Sequence, residues 1–125
     1  MKKLKILVVE NELLQRTYVC HIIEKMGHLV MEAANAFEAI HLLRKERFDI
    51  VLTDNDMAKE NEGFEVIDEV RSQDQMLPII WTSGRADANP ELAQKARSLN
   101  ALVLPKPFQK EQLLVLIEEA AMQVH

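Results

Sequence analysis

The chain has 125 residues, 48% of them hydrophobic and 28% charged, and carries a formal net charge of −5 at pH 7. This length suits a single domain with a full hydrophobic core, and we expect residues 1–125 to form one domain. The acidic balance, with no basic stripe, argues against direct binding of nucleic acid.

Cysteine usage and the N-terminus narrow the class of protein further. Cys20 is the only cysteine, which excludes an internal disulfide and favours a reducing compartment, so we expect a cytoplasmic location. The apolar run near the N-terminus ends at Glu10, too early for a signal-peptide core or a membrane span. We therefore expect no association with a membrane.

Apolar residues alternate along the chain between short runs typical of buried strands and longer segments with helical spacing. Five strand–helix repeats with mostly apolar strands predict an α/β doubly wound fold, a parallel five-stranded sheet with helices on both faces. The predicted strands are 4–9, 28–33, 48–54, 78–83 and 101–105, and the helices that follow them are 12–26, 35–47, one from about 63, 90–98 and one around 113–120.

Polar side chains stand where the predicted strands end. Glu10 follows the first strand, Asp54 ends the third, Ser83 ends the fourth and Lys106 follows the fifth; Asp56 lies just beyond Asp54. Because ligands of open parallel sheets bind beyond the carboxyl ends of the strands, these side chains are the candidate site.

The carboxylates at this edge need compensating charge. One like-charged pair at ~4 Å costs roughly 4 kcal/mol at an effective dielectric of ~20. Lys106 can neutralise one charge, and Mg²⁺ suits a few carboxylates plus waters. A carboxylate beside a metal, a lysine and a hydroxyl is typical of phosphoryl transfer, with Asp54 as the candidate nucleophile that forms an aspartyl phosphate.

Four motifs carry a resemblance to a known family. "KILVVENE", "DIVLTDNDM", "PIIWTSG" and "LPKPF", in this order and spacing, resemble the receiver domain of two-component response regulators across essentially the whole chain. The resemblance implies a CheY-like, flavodoxin-like three-layer sandwich with strand order 2-1-3-4-5. It also implies a phosphoacceptor that supports its own phosphoryl transfer and slow autodephosphorylation, and not an enzyme acting on a separate substrate.

The resemblance assigns a role to each strand-end residue. Asp54 is the expected phosphoacceptor, Ser83 the switch hydroxyl and Lys106 the residue that contacts the phosphoryl group. The Lys106–Pro107 bond is expected to be cis, the form that X–Pro bonds tolerate. Mg²⁺ is expected to be held by Glu10, Asn11, Asp54 and the backbone carbonyl of Asp56.

Two of the departures from the family pattern bear directly on the predicted switch. Asn11 stands where the family usually has an acid, so we expect weaker binding of Mg²⁺. Val103, three residues before Lys106, stands where an aromatic ring usually reports switching, so gating by an aromatic side chain is not expected. We expect Val103 to modulate the switch, and Asn11 to act on it through the binding of Mg²⁺.

Asp56 and Arg85 occupy equivalent places on neighbouring predicted strands. Asp56 lies two residues after Asp54, and Arg85 lies two residues after Ser83. We hypothesise that their side chains pair across the mouth of the site and slow the attack of water on a phosphorylated Asp54.

The functional prediction is a signalling module phosphorylated on Asp54 by a histidine kinase or a phosphotransfer protein. Phosphorylation is expected to switch a surface formed by the fourth helix, fifth strand and fifth helix, which acts on a downstream protein or on a fused output domain. One alternative is a degenerate receiver that binds proteins without phosphorylation, which Asn11 and Val103 favour. A third possibility is a small phosphatase with Asp54 as nucleophile and Asp56 as general acid.

Overall fold

The computed structural model describes residues 2–124. Every predicted strand and helix is present, with ends that differ only slightly from the prediction. The strands are β1 (Lys5–Val9), β2 (Leu29–Ala33), β3 (Ile50–Asp54), β4 (Ile79–Ser83) and β5 (Ala101–Pro105), and the helices are α1 (Leu13–Lys25), α2 (Ala36–Lys45), α3 (Glu62–Gln73), α4 (Pro90–Ser98) and α5 (Lys110–Met122).

Short polar contacts set where the first two helices begin. The Glu12 carboxylate accepts a hydrogen bond from the Leu14 amide at 3.2 Å and caps α1. Asn35 caps α2 by accepting from the Glu38 amide at 2.8 Å. Such caps satisfy amides that have no partner inside the helix, so the local sequence fixes where each helix leaves the sheet edge.

All strand pairings are parallel, and the strands lie in the order β2-β1-β3-β4-β5. This confirms the predicted doubly wound sheet and its strand order. β5 is an edge strand, which is compatible with Pro105, because proline removes a backbone donor that only an interior strand would need.

Alternate residues of the strands feed two hydrophobic cores. On β1, Leu7 and Val9 belong to the core under α2, α3 and α4, whereas Ile6 and Val8 belong to the core under α1 and α5. This alternation follows from side chains pointing to opposite faces of a strand, and it produces the three-layer sandwich. Within residues 2–124, none of the helices combines the length and the apolar composition needed to cross a membrane.

The strand register aligns the carboxyl ends. Val9 pairs with Thr53, Asp54 with Thr82 and Ser83 with Pro105. The residues that end β3 and β4, and those that follow β1 and β5, therefore meet along one edge of the sheet.

Candidate functional site

One ammonium group lies between two buried carboxylates at this edge. Lys106 Nζ is 3.1 Å from Asp54 Oδ1 and 3.1 Å from Glu10 Oε1. Asp54 is 1% exposed and Glu10 is 4% exposed, so solvent screens these charges poorly. The structure thus brings together the acid after β1, the acid ending β3 and the lysine after β5, which are far apart in the chain.

Burial dominates the chemistry of Asp54. It raises the pKa of Asp54 to about 6, although Lys106 and the hydrogen bond from the Asp56 amide act in the opposite direction. That amide donates to Asp54 Oδ1 at 3.1 Å. Asp54 Oδ2 is buried and has no hydrogen-bond partner among the described residues. An ionised carboxylate with one free oxygen is a suitable nucleophile or metal ligand.

Lys106 is held as a cation by its neighbours. Burial lowers its pKa, but the charges of Asp54 and Glu10 outweigh burial and raise the pKa overall. Glu10 uses its second oxygen, Oε2, to accept from the Glu12 amide at 3.0 Å. Lys106 is therefore protonated at neutral pH and can neutralise negative charge that develops at Asp54.

Ser83 does not contact Asp54 through its hydroxyl. Its Oγ donates to Asp56 Oδ1 at 2.8 Å, and the Gly84 amide donates to Asp56 Oδ2 at 2.5 Å. Ser83 Oγ also accepts from the Arg85 amide at 3.0 Å. The predicted switch hydroxyl is thus at the site but is bound to the neighbouring carboxylate.

Arg85 joins the loops that follow β3 and β4. Its Nε lies 3.4 Å from Asp56 Oδ1, its Nη1 donates to Glu60 at 2.8 Å, and its Nη2 donates to Asn61 Oδ1 at 3.0 Å. The hypothesised Asp56–Arg85 pair is present, and its effect on dephosphorylation stays a prediction. Glu60 gives Arg85 its shorter contact, which the sequence did not suggest.

Sequence reasoning missed two residues that shape the loop after β3. Glu62 is 3% exposed, and its oxygens accept from the amides of Ala36 at 2.8 Å and Lys59 at 3.0 Å. It therefore ties the start of α2 to this loop. A Cβ on Gly63 would lie 2.8 Å from the Asp54 carbonyl oxygen, so only glycine allows this close approach. The position of Gly63 at the predicted helix start was the one available signal.

The remaining predicted residues occupy less central places. Asn11 is exposed beside Glu10, and Val103 is half-buried against the core under α2, α3 and α4. Trp81 is fully buried, with its ring centroid 5.5 Å from that of Phe64. The Lys106–Pro107 peptide bond is cis.

The groups around Asp54 offer oxygen donors, which Mg²⁺ prefers, but only a few side chains supply them. Within residues 2–124, no group of three or more His, Cys, Asp and Glu side chains is placed to hold a metal ion. The oxygens that the structure places here are the free Asp54 Oδ2 and the Glu10 carboxylate, and Asn11 follows Glu10 at an exposed position. Hard oxygen donors in this number fit an ion that keeps several of its waters.

Comparison with known proteins identifies the family of the chain. A family model described as "Response regulator receiver domain" matches residues 6–118. The chain is 30% identical over 110 residues to the two-component response regulator PhoP of Pseudomonas aeruginosa, covering 88% of this chain and 48% of that protein. It is 26% identical over 110 residues to sporulation initiation phosphotransferase F of Bacillus subtilis, covering 87% of this chain and 86% of that protein.

Solved structures give the same result. The chemotaxis response regulator CheY4 of Vibrio cholerae is 31% identical, with a TM-score of 0.83 that covers 95% of this chain and 99% of that one. Among the curated relatives, the chain spans 25% of the transcriptional regulatory protein ZraR of Klebsiella oxytoca and 9% of the sensor protein EvgS of Escherichia coli. The chain therefore spans only part of the length of these relatives.

Proposed function

Because the chain belongs to the receiver-domain family of response regulators, we propose that it is a two-component signalling module whose Asp54 accepts a phosphoryl group from a histidine kinase or a phosphotransfer protein. The observation that carries the proposal is the buried contact between Asp54 and Lys106 at 3.1 Å. This contact supports the proposal because a carboxylate at the end of a central strand, beside a cation, is suited to act as the nucleophile.

The chemistry requires little beyond positioning and charge. A carboxylate oxygen of Asp54 attacks phosphorus, an acyl phosphate bond forms, and the P–N bond of the donor phosphohistidine breaks with its electron pair going to the imidazole. Lys106 neutralises charge on the phosphoryl oxygens, as cations do in phosphoryl transfer. Hydrolysis of the same acyl phosphate by water, slowly and in place, would reset the module.

Mg²⁺ is the proposed cofactor. Glu10, Asn11, Asp54 and the backbone carbonyl of Asp56 would hold it, and the ion supplies further neutralisation of the phosphoryl oxygens. Within this set, Asn11 contributes an oxygen without a charge, so weaker binding of the ion is expected than with two adjacent acids.

Switching is proposed to begin at Ser83 and Lys106. Phosphorylation adds a charge of about −1.5 to −2 at neutral pH, with three strong acceptor oxygens. These oxygens would draw in the Ser83 hydroxyl and Lys106 and bias the surface formed by α4, β5 and α5. Val103 lies on β5 in this surface. Because its side chain is aliphatic, the proposed switch does not include the movement of an aromatic ring at this position.

Partners and location follow from the same proposal. The module, taken as one receiver domain over residues 1–125, receives its phosphoryl group from a kinase or phosphotransfer protein in the cytoplasm. It passes the signal to a downstream protein or to a fused output domain, as the lengths of the relatives suggest. Its net charge of −5 disfavours direct contact with nucleic acid.

The test is phosphorylation by a small donor. The protein is incubated with acetyl phosphate and Mg²⁺, and intact mass is followed with time. We expect the mass of one phosphoryl group to be gained, and the gain to be lost in Asp54→Asn and without Mg²⁺. Asp68→Asn, which removes an exposed acid on α3, is the matched control and should be phosphorylated normally. A wild-type mass that stays unchanged would favour a phosphorylation-independent interaction module instead.

A further inference from the structure

The Asp56 carboxylate is bound by the groups that an incoming anion would use. Ser83 Oγ and the Gly84 amide, called here the β4-end donors, bind its two oxygens at 2.8 and 2.5 Å. Arg85 Nε is 3.4 Å from the same carboxylate. A hydroxyl, a backbone amide and a guanidinium that converge on one group form an anion-binding arrangement.

The β4-end donors lie beside the phosphoacceptor. Asp54 pairs with Thr82 across the β3–β4 ladder, directly before Ser83. The Asp56 amide, in turn, donates to Asp54 Oδ1. A phosphoryl group on Asp54 would therefore enter the region where these donors already hold a carboxylate.

We propose that the Asp56 side chain is an internal competing anion, which occupies the β4-end donors in the resting state and must be displaced when Asp54 is phosphorylated. The inference rests on the proposed function and adds a regulatory residue to it. The competition raises the threshold for switching, because the phosphoryl group gains the Ser83 hydroxyl only when it takes that hydroxyl from Asp56.

Arg85 is placed to receive Asp56 after displacement. It is held by Glu60 at 2.8 Å and by Asn61 at 3.0 Å, independently of Asp56. A displaced carboxylate can keep its ion pair with Arg85 while releasing Ser83 and Gly84. The displacement therefore removes two hydrogen bonds without leaving a buried unpaired charge.

The test compares two acids that share Arg85 but differ in their contact with the β4-end donors. Asp56→Asn removes the competing charge, whereas Glu60→Gln removes a charge that contacts Arg85 and neither donor. Beryllofluoride, a phosphoryl mimic, is titrated with excess Mg²⁺, and the fluorescence of Trp81, the only tryptophan, reports binding. The rate of phosphorylation by acetyl phosphate and the thermal midpoint are measured in parallel.

We expect Asp56→Asn to lower the half-saturating beryllofluoride concentration by about fivefold or more and to speed phosphorylation. Glu60→Gln should leave both within about twofold. Thermal stability of Asp56→Asn should be unchanged or lower. A residue with only a structural role would lose stability and affinity together, so tighter binding at equal or lower stability identifies competition.

Two results would overturn the inference while leaving the proposed function in place. The first is unchanged or weaker beryllofluoride binding by Asp56→Asn. The second is an equal gain in Glu60→Gln, which would indicate general charge repulsion. If wild type is phosphorylated while either holds, the competition fails and the proposed function stands. If neither wild type nor Asp56→Asn is phosphorylated, both fail. Asp56→Ser serves as the second variant should Asp56→Asn not fold.

Discussion

Two cations at opposite ends of the strands, Arg71 and the partly buried Lys106, have different kinds of partner. Lys106 contacts two carboxylates, Asp54 and Glu10. Arg71, at the other end, is 9% exposed, and its hydrogen-bond partners within residues 2–124 are backbone carbonyls. These carbonyls belong to Leu99 at 2.7 Å, Leu77 at 2.8 Å, Asp74 at 3.1 Å and Asn100 at 3.3 Å.

The difference separates a structural cation from one that serves a site. Carbonyl dipoles do not titrate, so Arg71 joins the loop before β4 to the loop before β5 whatever the pH. Carboxylates titrate, bind metals and react, so the surroundings of Lys106 change with ligand and protonation. Arg71 should therefore affect stability alone. Lys106 and its partners should serve the chemistry of the site at a cost in stability.

The largest effect is expected at the structural cation. Arg71→Ala leaves four carbonyls without their donor, and we expect the free energy of unfolding to fall by about 3 kcal/mol or more. Arg44→Ala, which removes an exposed arginine paired with Glu69 at 2.9 Å, is the control and should cost at most about 1 kcal/mol. Urea denaturation measures both. Equal losses would show that Arg71 is no more structural than a surface arginine.

Removing the charge of Asp54 should raise the free energy of unfolding, whereas removing Arg71 should lower it. Asp54→Asn removes a buried charge, while Lys106 keeps its pair with Glu10 at 3.1 Å. The pKa of Asp54 is raised to about 6, so its favourable contribution is complete below pH 4 and is lost as pH rises through 6. We expect the variant to be more stable than wild type by roughly 2–3 kcal/mol at pH 7 and equal to it near pH 4.

Denaturation in EDTA at the two pH values checks this prediction. Asp68→Asn removes an exposed carboxylate from α3 and is the matched control, with no expected pH-dependent gain. A destabilised Asp54→Asn at pH 7 would show that the Asp54–Lys106 attraction outweighs the cost of burying Asp54. Lys106 would then be a structural cation like Arg71.

The contrast also explains how much the sequence could predict. Asp54, Ser83 and Lys106 follow apolar strands, so strand periodicity and the parallel sheet were enough to place them on one edge. Which partner each side chain selects was not accessible in the same way. That Ser83 binds Asp56, and that Glu10 is paired with Lys106, depends on loop geometry of a few ångströms.

Arg71 and Glu62 show a second reason why the sequence could not predict every side-chain partner. Arg71 lies four residues after Ile67, on the buried stripe of α3, but a charged residue there reads equally well as the edge of the solvent face. Its carbonyl partners come from loops that only the tertiary structure brings close. Glu62 likewise binds amides, including that of Ala36 on another helix, and amides carry no sequence signature.

A smaller, acid-sensitive effect is expected at His28, another buried polar group whose partner is backbone. Its Nδ1 accepts from the Leu4 amide at 3.1 Å. Burial lowers the pKa of His28 below 6.5, while Asp49 acts to raise it. Its contribution is therefore present above pH 6.5 and lost as pH falls through the lowered pKa, the reverse of Asp54.

His28→Asn keeps an acceptor near Nδ1 that does not protonate. We expect it to remove part of the stability loss below pH 6, by about 1 kcal/mol or less, with His21→Asn, at an exposed position on α1, as the control. Unfolding free energies from pH 7 to pH 5 measure the difference. A pH dependence identical to that of wild type would exclude His28 as the titrating group.

The smallest effect on stability is expected at Arg85, a half-exposed cation that lies between the two cases. Its partners Asp56 and Glu60 are carboxylates, but solvent reaches them, so Arg85→Ala should change the free energy of unfolding by less than about 1 kcal/mol.

The main effect of Arg85→Ala should be on the rate of dephosphorylation. With Arg85 gone, no pair closes the mouth of the site, and the half-life of phosphorylated Asp54 should shorten by a few-fold, measured as phosphate release after the donor is removed. Glu60→Gln, which keeps Asp56 and Arg85 together, should retain most of the half-life; an unchanged half-life in Arg85→Ala would mean that water reaches the acyl phosphate by another path.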